Sequence, residues 1–322
     1  MTTATRKYKL IMPGSQVVQK FYLDSDDIAY ALQMYGAGGK NMMLCYGKIN
    51  PDQSVIDFTD SSFTKTLLVN FGHGQTFEPF KDTTDDSKWA WVVTYAKSST
   101  DEDSIHWATR VGVIPLDGAS SINASSVHSI TYLNNLGTGK NPNMSLHRVD
   151  AALSSDKSRL AIWTQGSGST SSATKRITAL NAMPLFEALK NGNISAKTDP
   201  RLVSGGSFYV SSRNITKYVY PQNSWQGMEL SNKRSAANGG YNWLYFTSGQ
   251  AVSNNVPKII RSPWNVLAST QDIINITFTD LSGNVEIEAP QLLDNYVYFG
   301  IESGTAGGKT HYIYSVLKSD FA

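Results

Sequence analysis

Short runs of β-branched and aromatic residues recur along this chain between clusters of Gly, Asn, Ser and Asp. They include Asp27–Tyr35 (DIAYALQMY), Trp89–Tyr95 (WAWVVTY), Arg159–Thr164 (RLAIWT), Gly206–Ser211 (GSFYVS), Trp243–Thr247 (WLYFT) and Tyr296–Ile301 (YVYFGI). Their length and composition are those of strands. Helical patterning is scarce: only Ala182–Lys190 (AMPLFEALK), ending at the stop signal Asn191-Gly192, predicts a turn or two of helix. The pattern therefore predicts an all-β fold with one short helical insertion near 182–190.

The strands also repeat in a larger frame. Five segments, Gln16–Tyr35, His73–Tyr95, His147–Thr164, Trp225–Gly249 and Val285–Ser303, share one order of features. Each has a polar or acidic residue, a short apolar stretch, a polar loop and then a strong aromatic or β-branched strand, which is a hairpin seen five times. Gln19, Glu78, Asp150, Glu229 and Glu288 are the equivalent polar positions, spaced 59, 72, 79 and 59 residues apart. Four short strands with loops need roughly 40–50 residues, so each repeat has room for a propeller blade with an insertion. The expectation is a single five-bladed β-propeller domain over 1–322, with blade cores near 16–60, 63–116, 128–190, 201–250 and 258–318. A sandwich or irregular barrel would give similar strands and stays open at this point.

Composition narrows the function. The formal charge is only +2, and charged residues make up 17% of the chain. That evenness argues against a dedicated nucleic-acid binder, which carries a basic field. No apolar run approaches the roughly 18 residues of a membrane helix, so no integral membrane segment is expected. The lone Cys45 can form neither an internal disulfide nor a Cys-based zinc site. The start, MTTATRKYKLIMPGSQ, lacks the apolar run of a signal peptide, so an extracellular protein would leave the cell without a conventional one.

Several stretches carry a family likeness. Gly72–Phe80 (GHGQTFEPF), Trp89–Leu116, Ile130–Trp163, Ser224–Ser231 (SWQGMELS) and Val285–Ser303 (VEIEAPQLLDNYVYFGIES) resemble, in order, the helveticin J family of large heat-labile bacteriocins of lactic acid bacteria. The resemblance implies an antibacterial activity and a propeller-like architecture. The family's His-x-Gln-Thr-aromatic-Glu pattern falls on His73, Gln75, Thr76, Phe77 and Glu78, and its acid-Ala-Ala-apolar-Ser stretch on Asp150–Ser154. Its Gln-Gly-x-acid-Leu pattern falls on Gln226, Gly227, Glu229 and Leu230, and Glu288 fits the last copy. Arg148 stands where the family's prototype has a His, so a role for that His does not transfer. No catalytic set carries over.

The repeated polar residues have two readings. A ring of carboxylates can bind a sugar or a cation, or hold an acid/base pair, for which Glu78 and Glu229 are the candidates. Alternatively each caps backbone N–H groups of a neighbouring blade. Four acids repel one another unless solvated, protonated or bridged, which admits Ca²⁺ or Mg²⁺, though no metal or other cofactor is required. Gln19, His73, Gln75, Glu78, Asp150, Gln226, Glu229 and Glu288 are thus the candidate ligand or channel-rim residues. His73 enters because glycines flank it, which suits close approach of backbone or ligand; a turn hydrogen bond explains it equally. None of the five histidines has zinc-protease spacing.

Aromatic residues crowd the fourth repeat, where Trp225, Tyr241, Trp243 and Trp264 are candidates for stacking on sugar rings; blade packing is the competing use. Asn223-Ser224 before Trp225 adds hydroxyl-binding chemistry. Gly166–Ala173 reads as a flexible loop, and Gly304–Lys309 as a hairpin turn that only mimics a phosphate loop. The leading expectation is an antibacterial protein that recognises a bacterial cell-surface or wall glycan and damages sensitive cells. A propeller lectin without killing activity, and a wall hydrolase using paired carboxylates, are the alternatives.

Overall fold

The computed structural model describes residues 1–98, 105–139, 144–167, 174–215, 224–232, 242–251, 255–264, 271–304 and 308–321. Two strands open the chain, β1 (Thr2–Thr3) and β2 (Thr5–Ile11). The next run holds β3 (Val18–Leu23), β4 (Ile28–Tyr35), β5 (Asn41–Lys48), β6 (Val55–Asp57) and β7 (Thr64–Val69). It is followed by β8 (Phe77–Lys81), β9 (Lys88–Ala96), β10 (Ala108–Pro115), β11 (Ser121–Asn123) and β12 (Ser129–Thr131). Then come β13 (Leu146–Leu153), β14 (Arg159–Gly166), β15 (Lys175–Asn181), α1 (Ala182–Leu189), β16 (Ile194–Ser195) and β17 (Tyr209–Asn214). The last strands are β18 (Met228–Leu230), β19 (Trp243–Ser248), β20 (Lys258–Pro263), β21 (Asp272–Thr277), β22 (Val285–Leu293), β23 (Tyr296–Ser303) and β24 (Thr310–Leu317).

These strands form five sheets, in the orders β3-β4-β5-β7-β11, β8-β9-β10-β12-β16, β13-β14-β15-β17, β18-β19-β20-β21-β1 and β22-β23-β24-β2-β6. Each is a mainly antiparallel blade, and the fold is a five-bladed β-propeller, as the repeat predicts. The fifth strands share one logic. In four sheets a short strand just before another blade's outer strand pairs in parallel at the edge: β6 on β2, β11 on β7, β16 on β12 and β1 on β21. Covering an outer strand this way hides a row of unpaired backbone groups that would otherwise invite aggregation.

The expected blade bounds miss by a strand. The range 16–60 omits β7, 63–116 omits β12, and 128–190 opens on β12 and omits β17. The range 201–250 takes in β17 and omits β20 and β21, which open the range 258–318 although they complete the sheet of β18 and β19. The fifth sheet takes its fourth strand, β2, from the start of the chain. Outer strands such as β12 (SIT) and β17 (YVSSRN) are short and polar, so they lack the apolar signal that marks inner strands.

The first hairpin turns explain the polar loop of each repeat. Asp27, Asp86, Lys157 and Asp294 adopt φ of +58°, +59°, +58° and +47° between the first and second strands of four blades. Asp and Asn tolerate this left-handed region better than most residues. Helix α1 forms where expected because Ala182, Leu185, Phe186 and Leu189 share one buried face. Pro184 sits in its first turn, where a backbone N–H has no helical partner to lose. Phe186 packs edge-on to Phe80 at 4.8 Å, and the Lys190 ammonium at the helix end lies 2.8 Å from Asp82.

The chain divides into two compact units. Unit one is Met1–Gly36, Met43–Thr66 and Val219–Ala322; unit two is Ala37–Met42 and Leu67–Tyr218. Unit two has a core built around Trp91, Val93, Ile162, Leu180 and Phe186. Unit one includes a cluster around Ile287, Phe299 and Tyr314 and another around Phe21, Cys45 and Phe58. Burial pushes the Cys45 thiol up to about 12, so it is an inert core residue.

Candidate functional site

Each of the five expected polar positions lies on the first strand of its sheet: Gln19 on β3, Glu78 on β8, Asp150 on β13, Glu229 on β18 and Glu288 on β22. The equivalence extends to the register, because Glu78 faces Trp91, Asp150 faces Trp163 and Glu229 faces Tyr245 across the first hairpin. Gln19 and Glu288 both fall where the register shifts. All five are at most 3% exposed. A buried carboxylate must be paired or hydrogen-bonded, and the two units meet that demand differently.

In unit two, Asp150 Oδ1 accepts the Gln75 backbone N–H at 2.7 Å and the Thr76 hydroxyl at 3.3 Å. The Thr76 hydroxyl oxygen in turn accepts the Ala151 N–H at 2.6 Å. Arg148 Nη2 lies 3.5 Å from Asp150 Oδ2 and donates to Gln75 Oε1 at 3.4 Å. Its guanidinium sits 4.0 Å from the Trp107 ring centre and 5.0 Å from that of Trp163, so the cation is clasped by aromatic faces as well as by the acid. His73 packs its ring on Trp107 at 4.4 Å. The glycines around it serve backbone packing: a Cβ on Gly74 would lie 2.3 Å from a Val93 methyl, and one on Gly72 2.8 Å from the His106 carbonyl. His73, Gln75, Asp150 and Arg148 are therefore brought together, and Asp150 caps a backbone N–H, as the second reading of the repeat expects.

In unit one the partners are chiefly lysines. The fully buried Lys20 ammonium lies 2.9 Å from Glu229 and donates to the Pro290 carbonyl at 2.6 Å. Glu302 Oε1 accepts the Val18 N–H at 2.6 Å and faces His311 Nδ1 at 3.1 Å, while its Oε2 takes Lys309 at 2.8 Å. Gln226 donates to Glu286 at 2.8 Å, and Gln291 bonds both the N–H and the carbonyl of Leu23. Burial raises the Glu286 pKa, with Lys309 opposing and Glu302 adding to the rise. Burial works against the Lys309 charge, but Glu302, Glu286 and Glu288 outweigh it and leave the ammonium more basic than usual.

Glu286, Glu288 and Glu302 present carboxylate oxygens within 4.8 Å of one another. Hard oxygen ligands of this kind suit Ca²⁺ or Mg²⁺, although Lys309 already neutralises part of the cluster and a cation would compete with it. Lys20, Glu302, Lys309 and His311 were not among the expected site residues. Lys20 did leave a signal, a lysine inside the apolar run Val17–Leu23, which needs a buried partner.

The expected aromatic surface is mostly packing. Trp225 is 4% exposed and stacks on Phe246 at 5.6 Å, and Trp264 is 8% exposed. Trp243 is partly buried, with the Arg261 guanidinium 4.5 Å from its ring centre. Tyr241 and Asn223 lie outside the described residues, as do 168–173 of the expected flexible loop and 305–307 of the expected turn. The residues flanking that turn, Ser303 and Thr310, pair across an antiparallel hairpin.

Solved structures similar to this chain include the tail fiber of Staphylococcus aureus phage P68, 12% identical over 98% of this chain, with a TM-score of 0.62. The match covers 52% of the fiber chain, so this chain spans about half its length. An α-L-arabinofuranosidase from Lactobacillus brevis is 7% identical over 96% of this chain and 93% of its own, with a TM-score of 0.52. An exo-β-1,3-galactanase from Phanerochaete chrysosporium is 9% identical over 98% of this chain and 64% of its own, at 0.51. At such identities the likeness is one of fold. No curated protein sequence matches significantly. No helix among the described residues is long and apolar enough to cross a membrane. The model of the family described as bacteriocin helveticin-J matches residues 2–301, so nearly the whole chain, with the repeated first strands that carry Gln19 to Glu288, belongs to the helveticin J family.

Proposed function

We propose that this protein is a bacteriocin that acts outside the cell that makes it, holding a glycan of the bacterial surface or wall and damaging sensitive cells without cleaving that glycan. Family membership supports the antibacterial part. The glycan draws support from the fold shared with an α-L-arabinofuranosidase and an exo-β-1,3-galactanase, both named for sugars.

The observation that carries the non-hydrolytic reading is the state of Glu229. A glycosidase needs two carboxyl groups across the scissile bond, one of them free to give a proton to the leaving oxygen. Glu229 is 3% exposed and its carboxylate lies 2.9 Å from the Lys20 ammonium, so it is held in a buried ion pair away from a ligand. Glu78, the other candidate, is 1% exposed. A wall hydrolase is the second reading, favoured by the same fold likeness.

The test is to mix the purified protein with isolated walls from a panel of Gram-positive bacteria, and to measure co-sedimentation, released reducing ends and killing of the source cells. Binding and killing without release is the expected result. Release of soluble fragments would make it a hydrolase, binding without killing a lectin, and absence of binding would overturn glycan recognition.

A further inference from the structure

Unit two holds an open cleft of about 600 Å³, lined by Asn191, Asn193, Ser195, Thr198, Asp199 and Arg201 among others. We propose that this cleft, with the exposed ring of Tyr132 beside it, is a subsite for an uncharged sugar unit, a hexose or an N-acetylhexosamine, of a bacterial surface glycan. The proposal deepens the glycan-holding reading above and rests on it.

An addition to one blade builds the cleft. Between the third and fourth strands of the first two sheets lie residues 49–63 and 116–128, each with one short edge strand, β6 or β11, and turns. At the same place in the third sheet lie residues 182–208, which carry helix α1 as well as the edge strand β16 and a 3₁₀ turn (Pro200–Leu202). Covering an edge needs only the strand, as the first two sheets show. The extra chain supplies the lining residues named above, and long connections on a rigid scaffold are where binding residues gather.

Hydrogen bonds fix its walls. Asn193 Oδ1 accepts the Ser129 N–H at 2.8 Å, and the Ser195 carbonyl accepts the N–H groups of Thr198 and Asp199 at 3.1 and 2.8 Å. The Asp199 carboxylate takes the Arg201 N–H at 2.9 Å and the Arg201 guanidinium at 2.6 Å, and that guanidinium lies 4.6 Å from the Phe208 ring centre. These two lining charges answer each other, which suits a neutral ligand better than an ionic one. Hydroxyl-binding chemistry is left over: the Asn193 amide N–H groups, the Ser195 and Thr198 hydroxyls and Arg201 Nη1 have no partner among the described residues. Donors and acceptors held in place in this way match the hydroxyls of a sugar at low entropic cost.

An aromatic face stands next to these groups. Thr131 pairs with Ser195 in register, the Ala196 N–H donates to the Thr131 carbonyl at 2.9 Å, and the Lys197 ammonium lies 5.8 Å from the Tyr132 ring centre. The ring thus neighbours the segment 195–198 that forms one wall. Tyr132 is 58% exposed, more than any other aromatic residue among those described. A ring with an apolar face packs on the C–H face of a sugar while polar groups beside it take the hydroxyl edge.

The experiment measures binding of the full chain to isolated bacterial walls at low and high salt, alone and against free galactose, N-acetylglucosamine and glycerol phosphate. Wild-type binding should yield to galactose or to N-acetylglucosamine, which separates the two sugar sources. It should not yield to glycerol phosphate and should change little with salt. Tyr132→Gly removes the ring at a backbone φ of +55° that glycine adopts freely, so it should keep the melting temperature while weakening wall binding roughly tenfold. Thr198→Val removes only a hydroxyl and should weaken binding roughly threefold. Tyr95→Gly is the control, since Tyr95 is also exposed, at 43%, with φ +69°, but stands on β9 and not in this cleft, and it should leave binding unchanged. Unchanged wall binding by either cleft variant, an equal loss on Tyr95→Gly, competition by glycerol phosphate or by neither sugar, or a steep loss with salt would overturn the subsite while leaving wall recognition standing. Absence of wall binding by the wild type removes both readings together.

Discussion

In unit two the carboxylate of Asp150 accepts the Gln75 N–H at 2.7 Å, and in unit one the carboxylate of Glu302 accepts the Val18 N–H at 2.6 Å. Both acids hold the beginning of another blade's first strand, where a backbone donor has no partner within its own sheet. Their positions differ. Asp150 lies on a first strand and its repeat equivalents in unit one are Gln19, Glu229 and Glu288, yet the Val18 N–H goes to Glu302 on β23. Their surroundings differ too: Asp150 is completed by a hydroxyl and by an arginine clasped between tryptophans, Glu302 by Lys309, just before β24, and by His311 on it. The repeat therefore marks where buried polar groups are tolerated, and local packing decides which of them closes the joint.

If unit one depends on ion pairs more than unit two does, its buried lysine should be the most sensitive point. Lys20→Met leaves Glu229 buried without its ammonium, and breaking such a pair costs about 3–5 kcal/mol. Equilibrium urea unfolding checks this, and adding Glu229→Gln to Lys20→Met should recover most of the loss. A loss below about 1 kcal/mol would mean that the pair is replaceable and the contrast between the units is wrong.

A smaller effect separates the two staples. Asp150→Asn keeps an oxygen for the Gln75 N–H but gives up the charge beside Arg148, and Glu302→Gln keeps one for Val18 but gives up Lys309. Each should cost about 1–3 kcal/mol, the range for hydrogen bonds to charged groups. The two should differ in salt: Lys309 is partly exposed, so added salt should narrow the cost of Glu302→Gln, while the enclosed Asp150 site should not respond. Paired melting curves at low and high salt decide it, and an equal response would erase the distinction.

This contrast marks how far the sequence could be read. Inner strands, the short helix and the first-strand polar positions were legible because each has a local signal: an apolar run, a 3.6-residue face, or an acid set before a strand. Outer strands were not, since β12 and β17 owe their place to hydrogen bonds with a stronger neighbour and little to their own side chains. The start of the chain could not be seen as part of the fifth sheet, because β2 pairs with β24 across about three hundred residues of sequence. Ion pairs were hidden for the same reason: Lys20 and Glu229 are 209 positions apart and meet only in the folded unit. The exposure of Tyr95 leaves no mark in the sequence, because the strand's pattern runs unbroken through it and only the turn of the backbone there carries the ring outward.

The smallest expected effect uses pH to tell the units apart, and its sign follows from the direction of each shift. Asp82 is lowered from 3.8 to about 2, first by Lys190 and then by the Thr84 N–H. A depressed acid contributes stability that is full above its unfolded value and lost as pH falls from about 4 toward 2. Lys309 in unit one and Lys190 in unit two are both raised above 10.5, so each contributes stability that is present below that value and lost as pH rises through the folded one. Wild-type stability should thus fall at both extremes. Asp82→Asn should remove the acid loss assigned to this pair and part of the alkaline loss, because Lys190 then loses Asp82 and keeps Glu187. Glu302→Gln should reduce the alkaline loss and leave the acid contribution of Asp82 as it was. Urea midpoints across pH 2 to 11 for the three proteins check this, and an Asp82→Asn curve that matches the wild type at low pH would place the acid sensitivity in another carboxylate and leave the Asp82–Lys190 contact as a tie of helix α1 to the first hairpin without electrostatic weight.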